Sequence, residues 1–166
     1  PGVSGAALRK LAGHRGAVRA LTFSLSHQRS GGDDHFVRIW AGGRAAVRDG
    51  DPRGCVHMLR EPHTGAVSAV LSVGHKVWTA SLGTVFVWDA ASFNLEGQFH
   101  QHAAHITAMH TVHQALVSRV WTCGAEGVIK QWNCEALYSG AVAAIKDGAS
   151  TELDARLANF EDVNST

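Results

Sequence analysis

Short apolar runs separated by glycine turns recur along this chain. The clearest case is VWTCGAEGVIKQW, in which Val120 and Trp121 open one run, a glycine turn spans 124–127, and Trp132 closes a second run. Apolar runs of this length between turn residues are typical of β-strands, and a tight glycine turn joins two of them into a hairpin. The pattern predicts a β-hairpin with a tryptophan on each strand.

The same hairpin occurs twice more. KVWTASLGTVFVWDA (76–90) keeps both tryptophans, whereas RSGGDDHFVRIWA (29–41) has Arg29 where the opening tryptophan stands in the other copies. The closing residues Trp40, Trp88 and Trp132 are 48 and 44 residues apart. A fixed period of this size indicates a repeat architecture.

A histidine precedes each hairpin. His14, His63 and His102 are each followed four residues later by Val or Ile, in GHRGAVRALTF, PHTGAVSAVLS and QHAAHITAMHT. A further apolar segment follows each hairpin, at 55–61, 92–100 and 136–145. Each unit of 40-odd residues is therefore predicted to contain four short strands.

This unit resembles the WD-repeat family of β-propellers, which has a G-H and a W-D signature. The resemblance is carried by Gly13-His14 and Trp88-Asp89, with Trp40 and Trp132 at degenerate ends, and covers about residues 6–145. It implies an all-β fold of four-stranded antiparallel blades. About three blades over residues 1–146 would form a partial arc, with repeats near 13–41, 62–90 and 101–133.

The tail, residues 147–166, has a different pattern. Leu153, Leu157 and Phe160 have helical spacing, and Thr151 and Asp154 have the spacing of a capping box. We expect a short C-terminal helix or a disordered segment there.

In the family, a His, a Ser or Thr, an Asp and a Trp form a hydrogen-bonded chain across each blade. The second repeat lacks the acid, because its turn is one residue shorter and contains Leu82 and Gly83. Its network is therefore expected to be incomplete. The resemblance assigns this structural role to His14, Ser30, Asp34 and Trp40, to His63, Thr79 and Trp88, and to His102, Thr122, Glu126 and Trp132.

Composition narrows the class of protein. Hydrophobic residues make up 45% and charged residues 17% of the 166 residues, which argues against disorder. No apolar run approaches the roughly 20 residues that span a bilayer, and no secretory signal is present. Three cysteines outside any CxxC spacing fit reduced thiols, so we expect a cytoplasmic protein.

Charge is balanced overall and uneven along the chain. The net charge is +1, but residues 1–61 carry ten Lys and Arg against five Asp and Glu, and residues 62–166 carry five against nine. A nucleic-acid-binding domain normally has a stronger basic field, so we expect no nucleic-acid partner. The strip Arg9, Lys10, Arg15 and Arg19 fits a solvated edge, or a contact for an acidic peptide or an anionic lipid head group.

The same residues also allow three chemical interpretations: a metal site, a cysteine nucleophile and a Ser-His-Asp triad. A metal site is disfavoured because zinc ligands need convergent spacings, usually with Cys or carboxylate help. A Cys123 nucleophile is disfavoured because the position is small in the other repeats, and a Ser-His-Asp triad because the repeat already explains those residues. We therefore expect no catalytic residue, metal or cofactor. The candidate ligands of the disfavoured metal site are His100, His102, His105, His110 and His113.

The resemblance implies a non-catalytic scaffold that docks peptides or proteins on one face of the propeller. Since closed propellers need about 4 to 8 blades, the remaining blades are expected from a longer protein or from a second copy. The expected partner contacts are Arg15, Arg19, Asp33, His35, Thr64 and Ser81.

An alternative comes from the VWT…G…W form of the second and third repeats. It is similar to propellers attached to signalling enzymes, including inositol polyphosphate 5-phosphatases. On this hypothesis the segment targets or regulates a larger enzyme.

Overall fold

A computed structural model describes residues 10–42, 54–114 and 117–134, although the side chains of 113, 114, 117 and 118 lie outside the description. Within these ranges every regular element is a β-strand. The strands are β1 (Val18–Ser24), β2 (His27–Gly32), β3 (Val37–Ala41), β4 (Cys55–Leu59), β5 (Val67–Val73), β6 (Lys76–Ser81), β7 (Thr84–Asp89), β8 (Leu95–His100), β9 (Ile106–Gln114), β10 (Val117–Gly124) and β11 (Ile129–Asn133).

These strands form three antiparallel sheets, each a meander of consecutive strands. The sheet β1-β2-β3-β4 is blade 1, β5-β6-β7-β8 is blade 2, and β9-β10-β11 is blade 3. The prediction of an all-β protein built from antiparallel blades is confirmed. The linking segments at 55–61 and 92–100 supply β4 and β8, whereas the strand expected at 136–145 and the helix expected after 147 lie outside the described residues.

The first strand of each blade carries a β-bulge at the same place. The register shifts between Val18 and Ala20 in blade 1, and between Val67 and Ala69 in blade 2. In blade 3 it shifts opposite Cys123 and Gly124, which pair with Ala108 and Ile106. Each bulge begins four residues after the repeat histidine, so the spacing in the sequence corresponds to a shared backbone geometry.

The blades pack around a common centre. Strand β5 contacts both β1 and β9, so the first strands of successive blades are neighbours. One buried cluster joins blades 1 and 2 through residues such as Ile39, Val67 and Trp88, and a second joins blades 2 and 3 through residues such as Trp78 and Trp132. Apolar burial between sheets is therefore what holds the arc together.

The opening hairpin has its two tryptophans on opposite faces. Trp121 pairs with Gln131 in the β10–β11 register, whereas Trp132 pairs with Val120 and faces blade 2. Trp121 is only partly buried, and its indole Nε1 has no hydrogen-bond partner. The equivalent residue Trp78 is 1% exposed, because blade 3 covers it.

Arg29 takes the place of that tryptophan in blade 1 and is also buried. Its guanidinium donates to the carbonyl of Ser24 at 2.9 Å and, across the blade boundary, to the carbonyl of Ala90 at 2.6 Å. The group lies 5.7 Å from the ring centroid of Phe93. Burial lowers the pKa of Arg29, yet two carbonyl acceptors stabilise the cation there. The sequence suggested a defect at this position, and the structure shows a contact between blades 1 and 2.

Trp78 and Trp121 form a matched pair for testing this packing. We expect Trp78→Ala to lower the free energy of unfolding by roughly 3–5 kcal/mol, because it empties a covered core position. Trp121→Ala should cost about half as much, because less of its surface is buried. Urea unfolding followed by circular dichroism measures both values, and equal losses would contradict the assigned faces.

Candidate interaction site

A chain of hydrogen bonds crosses blade 1 from its core to its loops. The indole Nε1 of Trp40 donates to Ser30 Oγ at 2.8 Å, and Ser30 Oγ lies 2.7 Å from His14 Nε2. His14 Nδ1 lies 2.8 Å from a carboxylate oxygen of Asp34, whose other oxygen accepts the backbone N–H of Arg15 at 3.0 Å. Four segments of the blade are thereby connected.

The chemistry of the two end groups sets the direction of this chain. An indole N–H can only donate and a carboxylate can only accept. The Ser30 hydroxyl therefore accepts from Trp40 and donates to His14 Nε2, and the imidazole donates its Nδ1 proton to Asp34. Ser30 and His14 each donate one hydrogen bond and accept one, Trp40 only donates and Asp34 only accepts, so every member of the chain has a partner.

Blade 3 repeats this arrangement. Trp132 Nε1 donates to Thr122 Oγ1 at 3.0 Å, and Thr122 Oγ1 lies 2.7 Å from His102 Nε2. His102 Nδ1 bonds to Glu126 Oε1. The second carboxylate oxygen of Glu126 has no partner, so the longer glutamate side chain satisfies the network less fully than Asp34 does.

Blade 2 has only part of the network. Trp88 Nε1 donates to Thr79 Oγ1 at 2.9 Å, and Thr79 Oγ1 lies 2.8 Å from His63 Nε2. His63 Nδ1 is buried and has no hydrogen-bond partner. The group that accepts this proton in the other blades is absent because the loop of blade 2 contains no acid.

Loop length explains that absence. Five residues separate Gly31 from its partner Val37, and five separate Cys123 from Ile129, whereas four separate Ala80 from Val85. The turn is thus one residue shorter, as the sequence predicted.

The shorter turn is held to the segment after His63 by a different side chain. Ser81 Oγ accepts the backbone N–H of Gly65 at 3.2 Å and donates to the Gly65 carbonyl at 2.9 Å. The Ser81 hydroxyl therefore holds the turn after His63 in place but does not reach the imidazole.

The His14, Ser30 and Asp34 geometry resembles a catalytic triad in its distances alone. Ser30 is 4% exposed, and its oxygen already accepts the indole proton of Trp40. A nucleophile must be reachable by the substrate, with donors placed for the developing oxyanion. The buried Ser30 hydroxyl fails the first condition, so the hydrogen bonds of His14, Ser30 and Asp34 are those of a structural network.

The surroundings lower the pKa of Asp34 in blade 1 and of His63 in blade 2 for different reasons. Burial alone raises the pKa of Asp34, but hydrogen bonds from the Arg15 N–H and the His14 imidazole outweigh it and lower the net value. Burial, followed by the charge of nearby His35, lowers the pKa of His63 to about 4. Neutral His63 is therefore the stable form of the folded protein near pH 7.

One end of the blades gathers the loops that carry these groups. We call it the loop end, and define it as residues 10–17, 32–36, 60–66, 82–83, 101–105 and 124–128. Backbone bonds fix it: Asp33 N donates to Ala17 O at 2.9 Å, and Ile106 N donates to Leu82 O at 2.7 Å. The loop end is therefore supported by the sheets beneath it.

Most of the expected contact residues lie exposed at or beside the loop end. Arg19, at the start of β1, forms a bidentate ion pair with Asp33, in which Nε donates to Oδ1 at 2.8 Å and Nη2 donates to Oδ2 at 2.7 Å. The Arg19 side chain is 58% exposed. Arg15, His35 and Thr64 are also exposed.

Ser81 is a correction to the expected contact set. It is 2% exposed and its hydroxyl is engaged with Gly65, so it does not present a polar group to a partner. A tight turn brings the end of β6 under the His63 segment, which the sequence pattern did not reveal.

Exposed apolar side chains adjoin the loop end. Val18 is 55% exposed at the start of β1, Leu82 is 52% exposed in the short turn of blade 2, and Ile129 is 50% exposed at the start of β11. Leu82 has φ of 53°, a left-handed conformation that a leucine rarely adopts. The exposure of Val18 follows from the β-bulge and that of Leu82 from the turn geometry, and the sequence pattern indicates neither.

The histidine-rich segment does not converge in the described residues. His100 bonds to Thr84, His102 belongs to the blade 3 network, and His105 and His110 are exposed. The side chain of His113 lies outside the description. Among the described residues no group of three or more His, Cys, Asp or Glu side chains is placed to hold a metal ion.

The cysteines are free thiols in the described residues. Burial raises the pKa of Cys134 to about 11, so its reactive thiolate is disfavoured. Cys123 is partly buried at the strand position that holds Gly31 and Ala80 in the other blades. A small apolar role explains both.

The first repeat matches a known protein family. Residues 5–41 match the family model described as "WD domain, G-beta repeat". That range contains the first histidine, the first hairpin and its closing tryptophan. In the described part of the chain, no helix has the length and apolar character needed to cross a bilayer.

The lowered pKa of His63 predicts a pH-dependent stability. The unfolded chain binds a proton near the ordinary histidine pKa of 6.5, whereas folded His63 does so only near 4. Stability from this group is therefore present above pH 6.5 and lost as the pH falls toward 4, by roughly 3 kcal/mol in total.

Denaturant unfolding between pH 7.5 and 4 measures this effect. His63→Gln should flatten the decline in stability over that range, whereas His75→Gln, at an exposed turn, should leave it unchanged. Parallel pH profiles for the His63 variant and the wild-type protein would contradict the assignment.

Proposed function

We propose that this protein is a non-catalytic interaction module of the WD-repeat type, because residues 5–41 match a WD-repeat family model and the described residues form antiparallel blades. We place its partner contact at the loop end of blades 1 and 2. The observation that carries the proposal is the set of exposed charged, polar and apolar side chains supported there by fixed backbone. WD repeats are in general protein-interaction scaffolds, and this surface supplies a specific place for that role.

The backbone of the loop end is already ordered without a partner. His35 N donates to Gly32 O at 3.2 Å, and Ala125 N donates to His105 O at 2.9 Å. The hydrogen-bonded chains of blades 1 and 3 tie the same loops to buried tryptophans. A surface held in this way loses little conformational entropy when a partner binds, which favours affinity.

The side chains at this surface are suited to recognition more than to stability. An exposed ion pair such as Arg19 with Asp33 contributes little to folding because solvent screens it, so its groups can exchange partners at small cost. Val18 and Leu82 add apolar surface beside these charges. Apolar area flanked by charged groups is the usual composition of a peptide-binding surface.

Selection from a displayed library of random peptides tests the proposal. We expect selected peptides to bind the full chain, and the variant Arg19→Ala with Asp33→Ala and Thr64→Ala to weaken binding about tenfold or more, measured by fluorescence anisotropy. Removing Arg19 and Asp33 together avoids leaving one charge unpaired.

A control variant alters the opposite end of the blades. Ser26→Ala with His75→Ala changes two exposed turn residues there and should leave peptide affinity unchanged. Equal loss in both variants, or none in the loop-end variant, would place the contact elsewhere.

A further inference from the structure

Blade 2 has a buried proton donor facing the loop end where blades 1 and 3 each have a carboxylate. We propose that His63 Nδ1 donates a hydrogen bond to the carboxylate of an Asp or Glu side chain of a bound peptide. The peptide thereby supplies the acid that blade 2 itself lacks. This inference rests on the proposed function and specifies the chemistry of the partner.

The comparison between blades shows what the position is built to hold. In blade 1 the imidazole Nδ1 lies 2.8 Å from Asp34, and in blade 3 it bonds to Glu126. The imidazole, hydroxyl and indole of blade 2 have the same bonds as their counterparts, at 2.8 and 2.9 Å. Only the acceptor for the last proton is missing.

The His63 ring is fixed so that Nδ1 faces away from the sheet. Its other nitrogen is held by Thr79, and the ring packs against Phe86 at 4.9 Å and Trp88 at 5.5 Å between centroids. His63 is 6% exposed, and Nδ1 is among the buried side-chain atoms without a partner. An unsatisfied buried donor carries a free-energy penalty, so a ligand that accepts a hydrogen bond from it recovers that free energy.

The acids at this position in the other blades favour a carboxylate ligand. Asp34 accepts from His14 Nδ1 in blade 1, and Glu126 accepts from His102 Nδ1 in blade 3. Burial, followed by the charge of His35, lowers the pKa of His63, so the neutral imidazole meets a ligand with a proton to donate at Nδ1.

Backbone donors also match a carboxylate. In blade 1 the second oxygen of Asp34 accepts the N–H of Arg15, the residue after the histidine. The corresponding residue after His63 is Thr64, which is exposed. His63 Nδ1 is buried, so a peptide carboxylate that reaches it must displace a covering group. The Leu82 side chain, which lies over Gly65 and is half exposed, is the candidate for that displacement.

The first test compares three peptides that differ at one position. A peptide selected for binding is made with Asp, Asn and Ala at its acidic position and titrated into the full chain. We expect the Asp form to bind about tenfold or more tightly than the Ala form, with Asn between them, because a charge-assisted bond is the stronger one. Equal affinities would overturn the inference but leave the interaction module standing.

The second test supplies the acid within the chain. The turn 81–84 is replaced by the five-residue loop 32–36 of blade 1, which carries Asp34, and the control graft has alanine in place of that aspartate. The acid graft should melt at a higher temperature than the alanine graft and should lose the preference for the Asp peptide. The alanine graft should keep it. The same preference in both grafts would overturn the inference.

A small probe separates this inference from the peptide-binding proposal. N-acetyl-aspartate N-methylamide is added to the full chain at millimolar concentration while the His63 ring is followed by NMR. We expect a saturable shift and a rise of about one unit or more in the pKa of His63, with no effect of the asparagine analogue and none in the acid graft.

The outcomes of the probe experiment are distinct from those of the library. A ring shift without any library binder would support the carboxylate site and count against the peptide module. If library peptides bind but millimolar probe does not shift the His63 ring signals, the carboxylate site alone would be overturned. A shift that the asparagine analogue reproduces would show a hydrogen-bond site without the proposed selectivity for charge.

Discussion

The hydrogen-bonded chain from indole to carboxylate is the constraint on which the blade depends. It starts at a tryptophan buried against the next sheet and ends at a loop, so it fixes both parts of the repeat relative to each other. Every member except the two end groups must both donate a hydrogen bond and accept one. One missing group therefore leaves its neighbour unsatisfied in a medium where that is costly.

This constraint explains why blade 2 differs locally while its packing remains regular. Its tryptophan and threonine are placed as in the other blades, because apolar burial on both sides holds them. The missing acid affects only the segment near the loop end, where Ser81 takes over the contact with the backbone of Gly65. Blade 2 thus keeps its apolar packing while one hydrogen bond of its network is missing, and the difference is confined to the loop end.

Much of this could be predicted from sequence, because a repeat shows the same physical problem solved three times. The spacing from histidine to tryptophan indicated the hairpins, and the shorter turn indicated the incomplete network. The burial of Ser81, the left-handed Leu82 and the partial exposure of Trp121 could not be predicted. They depend on turn geometry and on which face of a sheet has a neighbour, and neither is encoded in local alternation.

The buried guanidinium of Arg29 has a consequence for how the protein comes apart. It donates to the carbonyl of Ser24 in blade 1 and to that of Ala90 in blade 2, and Ala90 lies 61 residues beyond Arg29. Repeat arrays often open one unit at a time, because neighbours share only an apolar surface that can separate gradually. Here, separating blade 2 from blade 1 would also remove one of the two acceptors of a buried cation, and this extra cost couples the opening of the two blades.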